Sequence, residues 1–151
     1  MHCHHPAWYI DGVNLQLSAD VTASPSEVWA KTIDVERWPE FIESHQEIRR
    51  IDDGPIQLGS EAWVKQPGLP RAKWKVTVFE PEREFTWASK SGLVTTAGEH
   101  HIEPRPDGTG STLRLAVRTT GPLTFLADAL FGRRARRSLA TELEGFRRAL
   151  S

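Results

Sequence analysis

The chain has 151 residues, nineteen basic and twenty acidic side chains, a formal net charge of −1 and one cysteine. This is enough chain for one domain with a sizeable core, while the charge balance gives no global electrostatic case for nucleic acid. A single cysteine excludes an internal disulfide, and no apolar run nears the roughly twenty residues needed to cross a bilayer.

Residues 1–12 read as an N-terminal tail and 13–151 as a single domain. The opening MHCHHPAWYIDG lacks the basic and apolar regions of a secretory signal, so a cytoplasmic location is expected. Its His2-Cys3-His4-His5 run is consecutive and lacks the spacing of a structural zinc site, so no metal site is assigned there. VNLQLSADV (13–21) alternates as a strand, with Val13, Leu15, Leu17, Ala19 and Val21 on one face.

In SPSEVWAKTIDVERWPEF (24–41), Ser24 suits an N-cap, Pro25 the first helical position and Glu27 a capping box. Pro39 disfavours a helical Trp38. The helix should therefore end near Asp34, followed by a second, very short helical piece. Trp29 would seal the core, and Trp38 and Phe41 would anchor the turn into the next strand.

Six further strands follow at 47–51, 60–66, 72–80, 84–89, 93–103 and 111–119, joined mostly by short loops such as DDGP and RPDGTG that imply antiparallel neighbours. A helical segment runs from about Pro122 to Leu150. Leu139, Leu143, Phe146 and Leu150 make one stripe, whereas Leu123, Leu126 and Leu130 lie on another face. The phase change predicts a kink or break at Gly132. The arginines of RRARR (133–137) read as a solvated helix face.

The order is strand, two short helices, six strands and a long helix. An α+β fold is expected, with a curved seven-stranded antiparallel sheet gripping the C-terminal helix around an internal hydrophobic cavity. The stretches SPSEVWAKTIDVERWPEF, WKVTVFEPEREFTW (74–87) and EHHIEPRPDGTGSTL (99–113), with the late amphipathic helix, resemble the START-like, or polyketide cyclase/dehydrase and lipid transport, superfamily of helix-grip proteins. DVERWPEF also resembles coenzyme-Q-binding and ribosome-associated members. The resemblance implies a pocket between sheet and helix for lipids, polyketides or other apolar small molecules.

Strand alternation nominates the pocket side chains. Trp74, Val76 and Val78 share one face of their strand; Phe85, Trp87 and Ser89 share the next. His100 and Ile102 face inward, with Glu99, His101 and Glu103 outward. Leu113, Leu115 and Val117 are inward, as are Ala62, Val64 and Gln66, and Leu139 faces them from the helix. His100 is the sharpest polar feature on an inward face and the candidate for proton transfer, with Gln66 a second polar anchor. No inward carboxylate is evident to pair with it, and the plainer reading is a histidine satisfied by a buried neighbour. Motifs for nucleophilic catalysis or nucleotide cofactors are absent, so no cofactor is expected. The expected partner is a hydrophobic small molecule, with neither nucleic acid nor membrane insertion; a homodimer is compatible with the sequence. Binding or carriage is the first reading, and a cyclase/dehydratase-like enzyme using His100 is the alternative.

Overall fold

A computed structural model describes residues 14–122 and 124–151; the N-terminal histidine–cysteine run and Leu123 lie outside the described residues. Strand β1 (Asn14–Val21) leads into helix α1 (Pro25–Ile33) and a 3-10 helix (Val35–Glu40). Strands β2 (Glu47–Arg50), β3 (Glu61–Lys65), β4 (Ala72–Glu80), β5 (Glu84–Ser91), β6 (Val94–Pro104) and β7 (Ser111–Thr120) follow, and helix α2 (Thr124–Leu150) closes the chain. All seven strands form one antiparallel sheet in the order β1-β7-β6-β5-β4-β3-β2. Only β1 departs from a simple meander, because the two short helices carry the chain from β1 at one edge to β2 at the other.

The local chemistry at 24–41 accounts for that crossing. The Ser24 hydroxyl accepts the Glu27 backbone N–H at 3.2 Å, and Pro25 opens α1. At the other end, the Trp38 indole N–H donates to the Thr32 carbonyl at 3.1 Å, occupying an acceptor left free where α1 stops. Trp38 is fully buried. It does more than anchor a turn, because it sits at the centre of the core.

The inward faces follow the alternation expected for β5, β6 and β7: Phe85, Trp87, His100, Ile102, Leu113 and Leu115 are all buried. In β4 the expectation fails part-way. A register shift between Val76 and Val78 inserts a bulge, which puts Phe79 rather than Val78 opposite Phe85 and against the core. Helix α2 runs uninterrupted across Gly132, so the predicted break is not found. Leu139, Phe146 and Leu150 are buried while Leu126 and Leu130 stay exposed. The helix thus leaves Leu126 and Leu130 in solvent. Its last two turns are clamped: the Leu150 carbonyl accepts the Ala23 N–H at 3.1 Å. Gly145 lets the helix cross the exit of the 3-10 helix, since a Cβ there would overlap the Phe41 carbonyl oxygen and reach 3.0 Å from the Ile42 side chain.

Candidate functional site

The interior between sheet and helix is filled by aromatic rings at the level of His100. Trp38 meets Trp87 at 5.2 Å, His100 at 5.1 Å, Phe146 at 5.5 Å and Phe85 at 6.4 Å, centroid to centroid, mostly edge to face. The expected internal cavity is not seen among the described residues. Two surface depressions lie outside the grip, one where Pro39–Glu43 meets Gly145, Arg148 and Ala149, another among Lys31, Asp34, Arg37, Glu40 and Phe41.

His100 has the partner that the sequence reading lacked. Its Nδ1 lies 3.0 Å from the Phe85 carbonyl oxygen and its Nε2 lies 2.7 Å from Glu142 Oε1, a carboxylate carried by α2. A carbonyl only accepts, so Nδ1 carries a proton. The Nε2 contact then needs a second proton, held between imidazole and carboxylate. Burial acts to raise the Glu142 carboxyl, but the hydrogen bond from His100 and the nearby charges of His100 and His45 outweigh it, leaving Glu142 below the ordinary carboxylate range. His45, just past the 3-10 helix, is also buried, and its ring stands 5.6 Å from that of Trp38. Burial lowers its pKa; His100 adds to the shift and Glu142 opposes it.

Further along the same inward face the packing loosens. His100 and Ile102 are buried, whereas Gly98 and Thr96, two and four residues back from His100 along β6, are only half-buried. The next residues across the sheet are small and hydroxyl-bearing: Thr96 pairs with Ser89 on one side and Thr119 on the other. Trp74, half-buried on β4, lies 5.7 Å from Trp87, and a Cβ at Gly98 would touch both rings, at 3.6 Å for Trp87 and 3.8 Å for Trp74. The end of β3 is tied to the helix by Gln66, whose amide donates to the Ser138 hydroxyl at 3.3 Å.

The nominated residues therefore separate. Val64, Val76, Phe85, Ile102, Leu115 and Leu139 are packed in the core; Trp74 and one edge of Trp87 lie beside Gly98, and Gln66 bonds Ser138 of the helix. Sequence reasoning missed Glu142, His45 and Trp38, and also the Thr96–Gly98 stretch as an opening. On the outer face, Glu84, Glu99 and His101 bring possible metal-ligand atoms within 4.8 Å of one another. They already form a charge network: His101 contacts Glu84 at 3.5 Å and Glu99 at 2.8 Å, and Arg118 reaches Glu99 at 2.5 Å. The hydrogen bond from His101 is the main cause holding the Glu99 carboxyl below its usual range.

The sequence matches the polyketide cyclase/dehydrase and lipid transport family over residues 13–151. The chain belongs to that family. No curated protein matches it. Among solved structures, the fold is similar to the di-domain ARO/CYC StfQ of the steffimycin biosynthetic pathway (TM-score 0.70, 13% identity), covering 91% of this chain and 50% of that one. The chain thus spans about half the length of that protein. A point mutant of norcoclaurine synthase from Thalictrum flavum, in complex with a transition-state analogue, is similar at TM-score 0.72 and 16% identity, covering 96% and 97% of the two chains. A hypothetical protein of Helicobacter pylori is similar at TM-score 0.73 and 11% identity, covering 91% and 86%. Identities this low establish the shared fold, and the family supplies its functional class: polyketide cyclase or lipid-binding type.

Proposed function

We propose that this family member binds an apolar, ring-bearing small molecule at the half-buried end of the grip. Trp74 and the edge of Trp87 supply the stacking surface, Gly98 the room, and Thr96, Ser89 and Gln66 the polar contacts that orient the ligand. The observation that carries this reading is the change along one inward face, from sealed at His100 and Ile102 to half-open at Thr96 and Gly98. Two tryptophans at the opening make the test direct. Titration with a chemically broad panel of polycyclic and acyl ligands should quench or shift tryptophan fluorescence for at least one class. A flat response across the panel overturns the proposal.

A cyclase/dehydratase-like enzyme is the second reading, favoured by the buried His100–Glu142 contact, which stores a proton beside the aromatic cluster. It requires Glu142 to release Nε2 before His100 can serve a substrate, because both ring nitrogens are engaged. On that reading His100→Ala loses turnover and keeps ligand binding; unchanged turnover removes it.

A further inference from the structure

The first half of α2 carries exposed apolar side chains that the ligand reading does not use. Leu126, Leu130 and Phe131 are 45%, 73% and 52% exposed. Leu93 is 61% exposed in the β5–β6 turn, which backs onto Gly121 just ahead of the helix. Single exposed leucines need no explanation, but a group of them at one end of a fold does. Leu126, Leu130, Arg133 and Arg137 are spaced four, three and four residues apart, so they share one helix face, roughly opposite the stripe of Leu139, Phe146 and Leu150.

The charge on this helix points the same way. Arg133, Arg134, Arg136 and Arg137 are all exposed, and none has an acidic partner among the described residues. Arg134 is the exception in another sense, donating to the Pro67 carbonyl in the β3–β4 loop and so fixing the helix to the sheet. Residues 124–137 hold four arginines against one aspartate, while the remainder of the chain is net acidic. The molecule therefore has one cationic end with apolar side chains set into it.

We propose that this face docks on the surface of an anionic phospholipid membrane. Leu126 and Leu130 enter the headgroup boundary, and Arg133, Arg136 and Arg137 meet lipid phosphates. A nucleic acid would match the arginines but leave the leucines unused; a neutral apolar partner would leave the arginines unused. A bilayer of acidic lipid uses both. Among the described residues no helix is long and apolar enough to cross a membrane, so α2 lies along the surface.

The test is co-sedimentation of the full chain, without added ligand, on vesicles of equal parts phosphatidylcholine and phosphatidylglycerol. Binding should be seen at about 50 mM salt and weaken strongly at about 500 mM. Vesicles of phosphatidylcholine alone should retain little. Arg133→Gln and Arg137→Gln should each weaken binding about fivefold, and Leu130→Ser about tenfold. These side chains face solvent, so far-ultraviolet circular dichroism should be unchanged in all three. No binding to acidic vesicles, or equal binding by the variants, overturns the proposal. So does retention on a single-stranded RNA oligonucleotide without retention on vesicles. A dimer that Leu130→Ser splits would assign the face to a second copy and likewise overturn it. Because no ligand is present, failure of the ligand site leaves this result unaffected.

Discussion

Removing the Glu142 carboxylate should damage the core in a way that its chemistry makes calculable. The His100 side chain is 3% exposed and that of Glu142 14%, and they meet at 2.7 Å. In Glu142→Ala, His100 keeps its bond to Phe85 but loses the partner of Nε2, and little water can replace it. Losing a hydrogen bond to a charged group in such a place costs about 1.5–3 kcal/mol. For a domain of this length that is about 4–10 °C in Tm. In Glu142→Gln the amide can donate to a neutral Nε2, so the loss should be about 1 kcal/mol or less. Replacing both partners by leucine should recover most of the alanine loss, because the cost comes from an unpaired buried group rather than from the absence of an ion pair. Thermal and urea unfolding, followed by tryptophan fluorescence and circular dichroism, measure all three variants against the wild type. Equal losses for alanine and glutamine, or an alanine loss under about 0.5 kcal/mol, would show that the contact is not what holds this region.

The remaining predictions concern the same packing. Gly145→Ala should destabilise by about 1–3 kcal/mol, since a methyl group meets the Phe41 carbonyl and Ile42, outweighing the gain in helix propensity; a more stable variant would mean that the crossing is looser than described. Burial holds His45 below the ordinary imidazole value of about 6.5, so the unfolded chain takes up a proton that the folded one resists. Its contribution is therefore complete above about pH 6.5 and is lost as pH falls, with a slope of at most about 1.4 kcal/mol per pH unit. Denaturant unfolding from pH 7 to 5 should show this slope, and His45→Phe should flatten it; an unchanged slope refutes the assignment. Glu142, lowered from 4.5, adds its own loss only at more acid pH.

Much of the architecture was legible because strands declare their faces. Phe85 and Trp87, His100 and Ile102, Leu113 and Leu115 alternate without interruption, and Ser24 and Pro25 mark a helix start by their own hydrogen-bonding and dihedral limits. The β4 bulge was not legible: Thr77 has no residue signature for it, and one extra residue exchanges Val78 for Phe79. Glu142 carried a signal that its charge concealed. It lies three residues after Leu139 and four before Phe146, on the edge of the buried stripe, yet a helical glutamate ordinarily reads as surface. His45 sits in a connection with no periodicity to betray its burial. Gly132 misled in the opposite sense, because an out-of-phase stripe suggested a break, whereas the helix continues and leaves Leu126 and Leu130 in solvent.

The central claim, a small-molecule site at the Trp74–Gly98 opening, is tested most directly by native mass spectrometry of the protein purified from its source cells, with Gly98→Leu alongside. The new side chain has room at its Cβ, 3.6 Å from Trp87, but its branches would fill the opening. Wild type should carry a bound mass that gentle activation releases, and Gly98→Leu, folded and of equal secondary structure, should lack it. Equal retention of that mass by both proteins would contradict the account.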